Sequence, residues 1–191
     1  MSRTSNVELR PLEAADKDRV LGWRNAPDVR RFMYTDHVIS PDEHGRWFAG
    51  LEGDQTRRYW IVEARGQPVG LANLYDIDRR HQRSSWAYYL ADPSVRGLGL
   101  GSFVEYWVLE HVFEELQLAK LWCEVLASNE PVWRLHQTFG FTLEARFRGH
   151  VVKEGAREDV LGLGILADEW RARRPAMAER LRAKGLEPPR L

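Results

Sequence analysis

The sequence predicts a single α/β domain in which helices flank a mixed β-sheet. Three observations support this fold class. Strand-like runs at 59–64, 69–77 and 85–90 are separated by short polar turns, a glycine-rich loop at 96–101 then opens a helix, and strand and helix patterns follow one another from there. Hairpins followed by a strand–loop–helix–strand–helix succession indicate a mixed sheet covered by helices.

The composition is that of an ordinary globular protein. The chain has 191 residues, 43% hydrophobic and 29% charged, which fits one domain with a substantial core. Its 28 basic and 28 acidic side chains cancel, so no overall charge predicts binding to nucleic acid or to an anionic membrane. The single cysteine, Cys123, excludes an internal disulfide and suits a reducing compartment. Without a signal-peptide pattern or an apolar run of ~20 residues, we expect a cytoplasmic protein.

The first third of the chain carries clear start and stop signals. Residues 7–10 alternate like a short strand, and a helix is predicted from about 14 to 25, where Pro27 interrupts it. Residues 40–43 are typical of a helix start, with a serine cap, a proline at the first position and a glutamate three residues after the cap. A turn at Arg65-Gly66-Gln67-Pro68 predicts a hairpin between the next two strands.

The second half of the chain continues the alternation. We expect a helix at about 102–116, a strand at 121–126, a helix at 129–139 ended by Gly140, closing strands at 141–147 and 159–165, and a helical tail from 167.

The glycine-rich loop reads Arg96-Gly97-Leu98-Gly99-Leu100-Gly101. Glycines let a backbone approach a ligand closely, and the start of a helix has unpaired N–H groups and a partial positive charge. Together they favour an anion such as a pyrophosphate, to which Arg96 adds a cation and Ser102 a hydroxyl. The spacing differs from the G-x-G-x-x-G of dinucleotide-binding proteins and lacks the lysine of a Walker loop. A flexible turn without a ligand is the alternative.

Two motifs in the right order resemble the signatures of the GCN5-related N-acetyltransferase (GNAT) superfamily. The first signature, Gln/Arg-x-x-Gly-x-Gly/Ala, matches Arg96, Gly99 and Gly101. The second is an asparagine, here Asn129, followed by a helix that ends in Gly-Phe, here Gly140-Phe141. The resemblance covers residues 7 to about 165 and implies an acetyl-CoA-dependent enzyme.

The resemblance also implies a geometry for the cofactor. The mixed, twisted sheet would be splayed in the middle, and the pantetheine would pair with exposed backbone at Tyr89-Leu90-Ala91. The loop and Ser102 would hold the pyrophosphate, and Asn129 would hydrogen-bond the pantetheine or phosphate arm. An ordinary helix cap is the alternative role of Asn129, and the two roles are compatible. We expect one acetyltransferase domain over 1–166, with 167–191 as a C-terminal helical extension of that domain.

The N-terminal third resembles a narrower family, the N-acetyltransferases of pseudaminic acid biosynthesis. The resemblance lies in Trp23-Arg24-Asn25-Ala26-Pro27-Asp28-Val29-Arg30, Met33-Tyr34-Thr35-Asp36-His37 and Glu43-His44. It implies acetylation of the 4-amino group of UDP-4-amino-4,6-dideoxy-N-acetyl-altrosamine, whose product serves flagellin glycosylation. The acceptor site implied in this way contains aromatic rings to stack, arginines for phosphates and a histidine: Trp23, Arg24, Arg30, Tyr34, His44 and Tyr75. A core Trp23, a solvated Arg30 and a surface His44 are the alternatives.

The expected mechanism is direct attack of a free amine on the thioester in a ternary complex. In the superfamily a tyrosine often protonates the leaving thiolate, and His136 occupies that position here; Tyr88 and Tyr89 are the alternative donors. Glu124 is the candidate base, and a backbone N–H near Leu90 or Ala91 would polarise the carbonyl. Cys123 is not expected to be a nucleophile, because an apolar strand disfavours its thiolate.

Two alternative functions are compatible with the same fold and glycine-rich loop. A protein N-terminal acetyltransferase of the ribosomal-protein type would need an acidic groove, which the N-terminal arginines oppose. A non-catalytic acyl-CoA-binding module would keep the loop without turnover. The arginine-rich tail is interrupted by acidic residues, so we expect no nucleic-acid binding there. We predict no metal site and allow for a homodimer.

Overall fold

Tight turns build the first half of the sheet. In the computed structural model, which describes residues 7–189, the first four strands are successive antiparallel neighbours: β1 (Val7–Pro11), β2 (Arg58–Ala64), β3 (Gln67–Asp78) and β4 (Arg83–Leu90). Arg65 and Gly66 join β2 to β3 with φ values of 56° and 71°. Two positive φ angles in a two-residue turn match the right-handed twist of the strands, which confirms the predicted hairpin.

Three further strands complete a seven-stranded sheet. β5 (Lys120–Leu126) runs parallel to β4, and the hairpin of β6 (Thr142–Lys153) and β7 (Ala156–Leu166) pairs with β5 through β7. The strand order is β1-β2-β3-β4-β5-β7-β6. One parallel contact in an otherwise antiparallel sheet confirms the predicted mixed sheet.

β4 and β5 separate soon after they meet. Their pairing consists of Arg83 with Lys120, Ser84 with Leu121 and Ser85 with Trp122. Beyond these pairs β4 follows β3 as far as Leu90, whereas β5 follows β7 as far as Leu126. The sheet therefore opens between β4 and β5, which confirms the predicted splay.

Helices cover both faces of the sheet. A 3₁₀ turn (Ala14–Asp16), α1 (Lys17–Asn25), α2 (Pro27–Arg30) and α3 (Pro41–Ala49) precede the hairpins, and Ser40 caps α3 by accepting from the Glu43 N–H at 3.2 Å. The other three helices are α4 (Leu100–Glu110), which continues as a π-helical turn (His111–Glu115), α5 (Glu130–Phe139) and α6 (Ala167–Ala183).

Side-chain alternation along the strands divides the core into two clusters. Trp60, Val62 and Leu74 point into the larger cluster, which α4, α5 and α6 close. Ile61 and Leu71 point to the opposite face, where they meet Val20 of α1. We call these the cofactor face and the acceptor face. A central strand such as β3 is buried on both sides because each face has its own helices.

The β6–β7 hairpin is longer than predicted. Residues 148–158 were expected to form a connection, yet β6 continues to Lys153 and β7 begins at Ala156. β6 is an edge strand whose residues are mostly exposed, but its polar residues alternate with Leu143, Ala145, Phe147 and Val151, so the sequence did indicate a strand that continues beyond residue 147.

Gly70 allows β3 and β4 to approach beside the opening in the sheet. A Cβ at Gly70 would overlap the Tyr89 carbonyl oxygen and lie 3.0 Å from the Leu90 Cα, both backbone atoms that cannot rotate away. We predict that Gly70→Ala lowers the free energy of unfolding by about 3 kcal/mol, measured by urea denaturation.

Gly22→Ala is the matched control, because a Cβ at Gly22 in α1 would meet nothing within 4 Å. There alanine should be neutral or stabilise the protein by up to ~1 kcal/mol through helix propensity. Equal effects of the two substitutions would contradict the packing argument.

Candidate active site

The open edge of β4 presents backbone groups to the opening. Ala91 donates its N–H to the Val69 carbonyl at 2.8 Å, so this amide faces β3. Because successive residues of a strand direct their amides to opposite edges, the Leu90 N–H faces the opening. The expectation that the Ala91 N–H polarises the thioester carbonyl is therefore wrong, and Leu90 is the donor that the geometry leaves available.

The glycine loop forms a concave turn at the start of α4. Gly97 and Gly99 have φ values of 79° and 83°, a conformation that favours glycine, and Gly99 is the N-cap of α4. A Cβ at Gly101 would lie 3.0 Å from the Tyr88 hydroxyl, so only glycine lets the helix start this close to β4. The shape and the unpaired N–H groups of a first helical turn suit a pyrophosphate.

Two polar side chains around the loop, Arg96 and Ser102, have hydrogen-bonding partners within the protein. Arg96 donates to Asp28 at 2.6 Å in an exposed ion pair, and Ser102 is buried and accepts from Lys184 at 3.2 Å. Leu98 is exposed whereas Leu100 packs in the core.

Asn129 precedes α5 without capping it through its side chain. Its carbonyl accepts from the N–H groups of Val132 and Trp133, and its side-chain amide has no hydrogen-bonding partner among residues 7–189. The capping interpretation of this side chain is therefore wrong, and its amide is available for a ligand.

His136 of α5 and Glu105 of α4 form a buried pair on the cofactor face. Nδ1 of His136 lies 2.9 Å from Oε1 of Glu105, and both side chains are almost completely inaccessible to solvent. Burial disfavours the imidazolium, but the Glu105 carboxylate and the neighbouring Cys123 together raise the pKa of His136 to about 10. Burial also raises the pKa of Glu105. The pair therefore retains a proton at neutral pH.

Tyr88 and Tyr89 point to opposite faces. The Tyr88 ring stacks on Trp86 at 5.5 Å, and its hydroxyl lies against the start of α4. Tyr89 lies on the acceptor face, where its buried hydroxyl has no partner among the described residues. Burial raises the pKa of both hydroxyls, so both stay protonated at neutral pH.

A cavity of about 340 Å³ lies on the acceptor face between the sheet and α1, α3 and the loop after α2. Its volume is within the range of small-molecule sites. The lining combines apolar and polar residues, and the polar side chains on this face are those of Arg24, Thr35, Glu43, His44, Tyr59, Asn73 and Tyr89.

Arg24 is the cation of this cavity. Its guanidinium has no ion pair or hydrogen bond within the part of the chain that the structure describes. Burial lowers the pKa of Arg24, and the tyrosines Tyr89 and Tyr59 partly offset this, but a guanidinium remains charged. Glu43, the carboxylate of the lining, lies 3.0 Å from His37 Nε2.

Two predicted acceptor residues have packing roles instead. Trp23 is not in the cavity lining; its ring packs edge-on against Tyr89 at 6.4 Å beside the acceptor-face cluster. His44 lines the cavity, but its Nε2–H donates to the Lys17 carbonyl at 2.8 Å and its ring stacks on Trp47. The packing of Trp23 supports its alternative interpretation as a core residue, and the alternative of a surface His44 is wrong because that side chain is buried.

Tyr34 and Glu124 connect the loop after α2 to β5. The Tyr34 hydroxyl donates to Glu124 Oε2 at 2.6 Å, and burial together with this bond raises the pKa of Tyr34. Tyr75 is half-buried on β3, and its pKa is raised by burial and by Cys123 and Glu124. Tyr34, Tyr75 and Arg30 lie outside the cavity lining.

Sequence reasoning missed Glu105 and Asn73. A signal for Glu105 was present, since a carboxylate within the apolar run 103–109 needs a buried partner. Asn73 carried no such signal, because its place in the cavity depends on the register of β3. Among residues 7–189, no cluster of three or more His, Cys, Asp or Glu has the arrangement of a metal site. None of the helices in the described ranges is long and apolar enough to cross a membrane.

Comparisons with known proteins agree with this geometry. Residues 6–142 match the family model described as an acetyltransferase (GNAT) domain. Spermidine N(1)-acetyltransferase of Escherichia coli K12 is 25% identical over 90% of this chain and 92% of that protein, and acetyltransferase PseH of Campylobacter jejuni is 27% identical over 69% and 80%. The crystal structure of spermidine N-acetyltransferase from Vibrio cholerae with CoA and spermine superposes with a TM-score of 0.81 at 22% identity, covering 86% of this chain and 98% of that one.

The buried pair predicts a pH dependence of stability. The pKa of His136 is about 10 in the folded protein against 6.5 for an ordinary histidine, so the folded state holds a proton that the unfolded chain has released. The resulting stabilisation is fully present below pH 6.5 and is lost as pH rises towards 10, with a slope of up to ~1.4 kcal/mol per pH unit. Urea denaturation between pH 6 and 9.5 would measure the slope.

Glu105→Gln is the control for this slope, because it removes the carboxylate that holds the proton on His136. The difference in unfolding free energy between the two proteins should shrink as pH rises. Parallel pH profiles would contradict the assignment of the proton to this pair.

Proposed function

The chain belongs to the acetyltransferase (GNAT) family, and from this premise we propose that its acceptor is an amino sugar linked to a nucleotide. Membership makes it an acetyl-CoA-dependent N-acetyltransferase. The finer proposal is transfer of the acetyl group to the 4-amino group of UDP-4-amino-4,6-dideoxy-N-acetyl-altrosamine, the acceptor class implied by the N-terminal resemblance.

The observation that carries this proposal is the unpaired guanidinium of Arg24 in the acceptor cavity. A desolvated cation without a counter-ion is costly, and an anionic ligand removes that cost. Arginine binds phosphates through two parallel hydrogen bonds, which suits the diphosphate of a nucleotide sugar.

The same observation disfavours a polyamine acceptor. Spermidine N(1)-acetyltransferase of Escherichia coli and acetyltransferase PseH of Campylobacter jejuni have similar identities to this chain, so sequence identity does not choose between them. A polyamine would bring positive charges beside Arg24, while Glu43 already has His37 as a partner. Electrostatic complementarity therefore supports an anionic acceptor.

The residues around the opening supply the catalytic functions. Acetyl-CoA supplies the thioester-bound acetyl group, and the glycine loop, Ser102 and Asn129 are the residues that would hold it. Leu90 directs an N–H into the opening, where it can stabilise a developing oxyanion. On the acceptor face, Glu124 is a half-buried carboxylate able to take the proton of the attacking amine.

His136 is the residue we assign to protonation of the leaving thiolate. The pKa of His136, about 10, keeps the ring charged at neutral pH, so a proton is always available. Glu105 holds the imidazole in place and maintains that charge. No covalent acyl-enzyme is required, and the main catalytic contribution is the positioning of the two substrates.

The proposal predicts acceptor selectivity. Purified protein, offered acetyl-CoA with the UDP-4-amino sugar, spermidine or an N-terminal peptide in parallel, should release thiol with the sugar alone. Turnover with spermidine alone would overturn the acceptor assignment. If none of the three acceptors supported turnover, a non-catalytic acyl-CoA-binding module would be favoured.

Arg24→Gln extends the same assay. Loss of a charged hydrogen-bonding group should raise the KM for the sugar roughly tenfold or more and leave the KM for acetyl-CoA unchanged. The control is Arg46→Gln, which removes an equal charge from an exposed position of α3 outside the cavity. Equal effects of the two variants would exclude a specific contact with Arg24.

The substitution His136→Gln tests whether His136 protonates the leaving thiolate. Removal of a general acid should lower kcat roughly 100-fold while the affinity for CoA, measured by calorimetry, stays close to that of the parent protein. Tyr88→Phe in the same assay identifies the alternative donor: a larger loss of kcat there than in His136→Gln would transfer the role to Tyr88.

A further inference from the structure

The segment that follows α6 lies over the glycine loop. A Cβ at Gly99 would be 2.9 Å from Lys184 Cδ and 3.1 Å from Leu186 Cδ1, so the backbone of the loop and this segment are in contact. Lys184 Nζ donates to Ser102 Oγ at 3.2 Å in the first turn of α4. These residues lie far outside the stretch 6–142 that matches the family model.

The end of α6 holds Lys184 in this place. Gly185 has a φ of 74°, its N–H donates to the Arg182 carbonyl at 2.9 Å, and the Leu186 N–H donates to the Leu181 carbonyl at 3.1 Å. This pair of hydrogen bonds is a Schellman motif, which stops a helix with a fixed geometry. Leu186 is 1% exposed and belongs to the cofactor-face core, so the motif is anchored by packing as well.

The position of Lys184 is electrostatically unfavourable without a ligand. The ammonium has a neutral hydroxyl as its only partner among the described residues, and the first turn of α4 contains no acidic side chain. A helix N-terminus carries a partial positive charge, so a cation fixed beside it is repelled. An anion bound at the start of α4 would turn this repulsion into attraction to both groups.

We propose that Lys184 is a coenzyme A-binding residue, which donates a charged hydrogen bond to the pyrophosphate held by the glycine loop. The C-terminal extension then completes the cofactor site, with Ser102 and the first-turn amides as the other ligands. This inference rests on the acetyl-CoA dependence of the family and is independent of the acceptor.

Calorimetry of coenzyme A binding without any acceptor tests the inference. Lys184→Met keeps the apolar stem that packs on Gly99 and removes the charge, and it should weaken binding about tenfold at low ionic strength. Lys184→Arg should restore most of the affinity. Arg180→Gln removes an equal charge from an exposed position of α6 and should leave binding unchanged.

Truncated ligands locate the contact. Dephospho-coenzyme A keeps the pyrophosphate, so Lys184→Met should weaken its binding by the same factor, whereas binding of pantetheine should not change. Thermal melting of each variant shows whether the fold is intact. Unchanged affinity of Lys184→Met, tighter binding by it, or a loss that disappears with dephospho-coenzyme A would each overturn the proposal.

Discussion

The parallel contact between β4 and β5 is the constraint on which the rest of the structure depends. It consists of three residue pairs, after which each strand stays with its outer neighbour and the sheet opens. Backbone groups along the open edge of β4 have no strand to pair with, and buried polar groups need partners. A ligand with amide groups of its own can act as the missing strand, and we propose that the extended arm of the cofactor binds in this opening.

The opening also separates the chemistry into two compartments. On the cofactor face, His136 and Glu105 form a pair closed off from solvent, in which a proton is retained. On the acceptor face, Arg24 lines the cavity between α1, α3 and the sheet, whereas Glu124 lies outside this lining and accepts a hydrogen bond from the Tyr34 hydroxyl. We propose that a proton donor on the cofactor face and a carboxylate on the acceptor face act on opposite sides of the reacting carbonyl without neutralising each other.

Local patterns predicted most of the fold and the glycine-rich turn at the start of α4, because glycine spacing, helix caps and turns act over a few residues. The Ser40 cap, the Arg65-Gly66 turn and the loop at 96–101 are of this kind. Long-range contacts could not be predicted: Glu105 with His136, Arg96 with Asp28 and Lys184 with Ser102 join residues 31 to 82 positions apart. The resemblance also assigned Trp23, His44 and Arg24 to one acceptor site. In the structure Trp23 and His44 pack against neighbouring side chains, whereas Arg24 has no ion pair or hydrogen bond among the described residues.

Membership of the family does not identify the acceptor, because the acceptor depends on single side chains such as Arg24 and not on the packed residues around them. The sheet and the cofactor face serve a reaction common to all acceptors, so a relative with any acceptor retains them. The acceptor face is built from α1, α3 and a loop, where one side chain changes the charge of the cavity without disturbing the core. In that layer Trp23 packs against Tyr89, and His44 is hydrogen-bonded to the Lys17 carbonyl. Under the proposed function, the Arg24 guanidinium, which has no partner among residues 7–189, favours anionic acceptors and adds a repulsive cost for polyamines.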